Sequence, residues 1–124
     1  MTTQPPLLRV SACLRAAATE AEREAAITAW LRSPAAAGAS GRRAVLVEGA
    51  LLDRSGPQDV PLVGLGAGCP CCTGSVSLRV ALGRTLRRVR PEAVLLLLAT
   101  AEHMPRLRRI LEDGALGVHF DLEA

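Results

Sequence analysis

Short apolar runs alternate with longer stretches of helical periodicity along this chain. Residues 7–14, LLRVSACL, follow Pro5 and Pro6 and predict a first strand. Residues 19–32 predict a helix. Thr19 stands three positions before Glu22 as in a capping box, and Glu20, Glu22 and Glu24 suit the positive end of a helix dipole. Ala25, Ala26, Ala29 and Trp30 are its expected buried stripe. Residues 33–41, SPAAAGASG, are rich in helix and strand breakers and predict a loop. Residues 44–47 predict a second strand, residues 52–59 a loop, and residues 60–65 a third strand.

The second half repeats the alternation. A glycine-rich turn, GLGAGCPCCTG, covers residues 64–74. Leu78, Leu82, Leu86 and Val89 recur at helical spacing and predict a long helix over residues 75–90, stopped by Pro91. Residues 93–99 are wholly apolar, as in a strand covered on both faces of a parallel sheet. Met104, Leu107, Ile110 and Leu111 predict another helix, closed by Gly114, and residues 116–122 predict a last strand. Strands that alternate with helices predict an α/β fold: a small, mainly parallel sheet with flanking helices, in one domain over residues 1–124.

Composition narrows the chemistry. The chain has 124 residues, and all fifteen of its basic side chains are arginine. Without lysine there is no P-loop lysine, no Schiff base and no lysine general base. The aromatic residues are Trp30 and Phe120 alone, too few for a platform that stacks bases, so no nucleic-acid partner is expected. A net charge of +3 permits an acidic partner without demanding one. Arg84, Arg87 and Arg88 share one helix face and read as a solvated face. The longest apolar run is too short to cross a bilayer. Residues 10–13, VSAC, fit a lipoprotein box only superficially, because no basic leader precedes them and Arg9 interrupts the apolar stretch. The expectation is a cytoplasmic protein with reduced thiols and no membrane partner.

The candidate chemistry lies in Gly68-Cys69-Pro70-Cys71-Cys72-Thr73-Gly74. Three thiols fall within four residues, just before a predicted helix. The free N–H groups and positive dipole of a helix start favour thiolate over thiol. Thiolates suit a soft or borderline cation, so zinc or copper(I) is the natural guest of Cys69, Cys71 and Cys72. A fourth ligand is open. Cys13 at the end of the first strand and His103 just after the apolar strand are candidates, and Glu48 at the end of the second strand is another. Each also has a plain reading: Cys13 as a small core residue, His103 as a helix-start or surface residue, Glu48 as a solvated carboxylate. Thiol redox chemistry between Cys69 and Cys71 or Cys72 is an alternative. No cysteine-hydrolase context surrounds the thiols, and His119 reads as a strand residue.

The stretch Gly68-Cys69-Pro70-Cys71-Cys72-Thr73, followed by an amphipathic helix and an apolar strand, resembles the G-C-x-C-C-T segment of the CobW-type metallochaperone GTPases. Residues 8–14 are similar to that family's first strand and residues 44–48 to its second. LLLLATAEHMP, residues 95–105, is similar to the family's apolar strand and the turn after it, and residues 116–124 to its next strand. The resemblance implies a P-loop-NTPase-like fold and metal handling. The departures are as informative. Where relatives have a glycine-rich loop with Lys and Thr, this chain has Ser11-Ala12-Cys13-Leu14-Arg15-Ala16. No lysine exists for a guanine-reading motif. The phosphate cradle, magnesium support and base recognition on which phosphoryl transfer depends are all missing. The expectation is therefore a truncated CobW-like protein that binds metal without nucleotide and is not an enzyme. It would store, sense or transfer the metal, as a homodimer or beside a full-length relative. Residual GTP binding with weak GTPase activity is the alternative.

Overall fold

A run with no polar position, Ala93–Leu98, is stable as a strand only where both of its faces are covered, and all six of its side chains are buried. The computed structural model describes residues 8–37, 42–48, 54–55, 60–64, 76–102, 104–113 and 118–122. Among them the elements run β1 (Leu8–Ala16), α1 (Glu20–Leu31), α2 (Pro34–Ala37), β2 (Arg43–Val47), β3 (Arg54–Ser55) and β4 (Pro61–Gly64). They continue with α3 (Val76–Arg88), β5 (Ala93–Leu98), α4 (Met104–Glu112) and β6 (Val118–Leu122). The sheet order is β3-β4-β2-β5-β1-β6. Five strands are parallel, and the two-residue β3 pairs antiparallel with β4 at one edge. This is an α/β fold with a mainly parallel sheet, as the alternation predicts.

The faces follow from the direction of each crossover. The β1-to-β2 connection through α1 moves one way along the sheet. The β4-to-β5 connection through α3 and the β5-to-β6 connection through α4 move the other way. Crossovers of one hand then place α1 on one face and α3 and α4 on the opposite face. The two core clusters divide accordingly. Ile27, Trp30 and Leu31 of α1 pack with Val45, Leu95 and Leu97. On the other face, Leu82 of α3 and Leu107 and Leu111 of α4 pack with Leu46, Leu96 and Phe120. β6 is covered on the α4 face only, so Val118 and Phe120 are buried while His119 and Asp121 are exposed. On that open face Asp121 lies 3.0 Å from His119 Nε2 and 3.8 Å from Arg9.

Local differences from the periodic reading have packing causes. β1 continues to Ala16 because β5 pairs with it through Leu98. The buried stripe of α1 is Ile27, Trp30 and Leu31, with Ala26 half-buried; Ala25 and Ala29 face water. The larger side chains take the sheet face, since burial is worth more per residue for Ile, Leu and Trp than for Ala. Inside the predicted loop over residues 33–41 lies the single turn of α2, where Ser33 Oγ donates to Trp30 O at 2.6 Å and accepts from Ala36 N at 3.4 Å. The predicted loop over residues 52–59 contains β3. In α3, Leu82 is fully buried and Leu86 and Val89 are half-buried, as the four-residue spacing requires. Thr85 is buried and donates its hydroxyl to Ala81 O at 2.8 Å. Arg90, two residues past the end of α3, has φ 51. This is the left-handed position where helices ordinarily place glycine, and a side chain there costs about 1–2 kcal/mol.

Among the described residues no helix is long and apolar enough to cross a membrane.

Candidate functional site

Open parallel sheets bind ligands beyond the C-terminal ends of their strands, where neighbouring connections leave to opposite faces. β1 and β5 are such a pair: they are hydrogen-bonded neighbours, α1 follows one and α4 the other, and the two helices lie on opposite faces. The edge is tied together by short backbone bonds, Ala17 N to Leu98 O at 2.7 Å and Glu48 N to Leu97 O at 2.9 Å. Glu48, the residue after β2, reaches across with its carboxylate, and Oε2 accepts from Ala99 N at 2.6 Å. It thereby fixes the start of the β5-to-α4 connection. Past it, Thr100 Oγ1 accepts from Glu102 N at 2.9 Å.

The turn from β1 into α1 is three residues, Ala17, Ala18 and Thr19. A glycine-rich phosphate loop of the G-x-x-x-x-G-K-[ST] kind needs eight. Thr19 Oγ1 accepts from Glu22 N at 3.1 Å and donates to Glu22 Oε1 at 3.1 Å, so the helix start is capped from within. Glu20 and Glu22 sit in its first turn. The helix's positive end is answered by its own carboxylates, an arrangement that repels phosphate.

The candidate ligands separate. Cys13 is not at the end of β1, as expected from the sequence; the strand runs three residues beyond it. Its side chain is 2% exposed and belongs to the α1-side core. It borders a small cavity of about 110 Å³ shared with Arg15, Trp30 and Ser33. In register Cys13 is level with Leu95 of β5, which is level with Val45 of β2. Glu48 is three residues further along and two strand spacings across, about 14 Å away at ~3.3 Å per residue and ~4.8 Å per strand. No single cation reaches both. Among the described residues no group of three His, Cys, Asp or Glu side chains is placed to hold a metal. Cys69, Cys71, Cys72 and His103 lie outside the described residues. The segment that carries the three thiols joins the C-terminal end of β4, at Gly64, to α3, which is described from Val76.

The solvated-face reading of α3 agrees with exposed Arg84, Arg87 and Arg88. What the linear reading missed is at the opposite edge, where Arg9, Arg42, Arg87 and Arg90 from four separate places line one cavity.

No protein-family model matches this chain, and neither a curated protein nor a solved structure matches it.

Proposed function

We propose that this protein is a non-catalytic, CobW-like metal-binding protein of the cytoplasm. Cys69, Cys71 and Cys72 hold one thiophilic cation, zinc in the first instance and copper(I) as the alternative guest. The observation that carries the reading is three thiols within four residues, in the connection between a parallel strand and a helix. Their donor chemistry fits such a cation: thiolates are soft and negatively charged. Cys13 does not enter the ligand set, because it is committed to the core beneath α1. Glu48 is engaged by Ala99 N, which favours a bracing role over ligation. The fourth position is left to His103, to water or to another molecule.

The geometry between β1 and α1 supports binding without nucleotide. A three-residue turn with an acidic, self-capped helix start offers no cradle for a triphosphate. Metal storage, sensing or transfer is the role that agrees with this combination. Its partners would be a second copy of the chain or a full-length CobW-type protein, and β6 is an edge strand paired with β1 alone.

Elemental analysis of the purified full chain tests the reading. About one zinc per chain is expected for a closed thiolate site, with Cys72→Ser abolishing it and Cys13→Ser and Glu48→Gln leaving it unchanged. Metal-free protein whose thiols titrate as a dithiol couple would replace the proposal with redox chemistry. Tight GTP binding would replace it with the GTPase reading.

A further inference from the structure

In a parallel sheet all strand starts gather on one edge, and here that edge collects positive charge. Arg9 opens β1, Arg42 immediately precedes β2, Arg87 is in the last turn of α3, and Arg90 stands in the turn before β5. All four line a cavity of about 720 Å³, within the range of small-molecule sites. Glu92 is the one acid in its lining and is held by Arg42 at 2.8 Å. Arg87 and Arg90 make no ion pair with a described residue, while Arg9 has only the 3.8 Å contact with Asp121. The carbonyl end of α3 contributes about half a negative charge here. Four guanidinium groups outweigh that and Glu92 together.

Two further observations mark these arginines as more than a solvated fringe. Arg90 occupies a left-handed position, φ 51, that glycine fills without strain, so the fold retains a side chain there at a cost. Arg87 lies back along α3: its Nη1 comes within 3.3 Å of where a Cβ on Gly83 would stand. A glycine in the middle of a helix weakens it, and at this place it makes room for the guanidinium. The remaining wall is apolar, formed by Val10, Leu86 and Pro91.

We infer that this cavity binds a small soluble molecule bearing a phosphate or pyrophosphate group. The anion is held by the forked N–H donors of Arg9, Arg87 and Arg90, and the organic part lies on the apolar wall. Planar guanidinium groups recognise phosphate oxygens in pairs, which single-point ammonium groups do not, and this chain has arginine only. The site is at the opposite edge of the sheet from the β4-to-α3 connection and does not depend on the metal reading.

Calorimetric titration of the full chain with inorganic pyrophosphate, at fixed ionic strength and without divalent metal, tests this. Saturable one-to-one binding is expected. Arg90→Gly and Arg87→Gln should each weaken it by about tenfold, and the pair by about a hundredfold, as for independent charge-assisted contacts. Arg90→Gly places the favoured residue at the left-handed position, so it should melt no lower than the parent while binding less. Arg106→Gln on α4 lies outside the cavity lining and should leave affinity unchanged. The Cys69→Ser/Cys71→Ser/Cys72→Ser variant should also bind as the parent does, which keeps this result separate from the fate of the metal proposal. No saturable heat, or equal loss with Arg106→Gln as with Arg90→Gly, would overturn the inference; the latter would mean diffuse attraction to a basic chain.

Discussion

Thr19 shows how much one side chain settles at the residue scale. Its hydroxyl closes the start of α1 against Glu22, and that closure removes the N–H group a phosphate would use. Thr19→Ala is expected to cost about 1 kcal/mol of stability, the usual penalty for an N-cap. A lower urea midpoint at unchanged m-value would show it. Glu48 and Cys13 make a contrasting pair. Both read from the sequence as residues near strand ends. The structure keeps Glu48 at the edge, bonded to Ala99 N, and draws Cys13 three residues into the core. Nothing in the local sequence marks this difference, because the end of β1 is set by its pairing with Leu98 of β5.

At the scale of elements, β5 organises the molecule. It is the neighbour of both β1 and β2, and its side chains supply both cores alternately, Leu96 to one and Leu95 to the other. Leu96→Ala is expected to destabilise by about 2–5 kcal/mol, since Leu96 is wholly buried between sheet and helices and little around it can collapse. Thermal unfolding followed by far-UV circular dichroism would measure the drop. β5 was legible in the sequence because an unbroken apolar run has few other stable places. β6 was legible for the complementary reason, since its alternation matches one covered face and one open face. α1 was harder. Seven of its twelve residues are apolar or alanine, so several stripes fit, and only contact with the sheet selects Ile27, Trp30 and Leu31. β3 and α2 are a two-residue strand and a single turn, too short to leave a periodic signal.

For the whole molecule, two cores on two faces of one sheet share the work of folding, and both are built from described residues that exclude the thiol-bearing segment. Metal removal is therefore expected to leave the sheet folded, unlike a zinc finger, where the metal supplies the folding free energy. Trp30 is the single tryptophan and lies 4% exposed in the α1-side core, so its emission reports that layer directly. Chelation should leave its emission maximum in place at 25 °C; a shift to the red on chelation would mean that the metal loop is part of the fold. The candidate chemistry divides along the same line. The cysteine cluster is contiguous and was visible as a motif. The arginine cavity is assembled from residues 9, 42, 87 and 90, and no window of sequence contains it.

The sequence by itself determined the order and type of the main elements, the burial of β5 on both faces, the loss of a lysine-based phosphate loop and the grouping of three thiols. Each of these is a property of neighbouring residues or of composition. Tertiary structure alone decided the strand order, the core position of Cys13, the separation of Cys13 from Glu48 and the gathering of arginines at the strand starts. Those depend on which strands lie side by side, and lateral pairing is fixed by crossover direction and packing between residues distant in the chain.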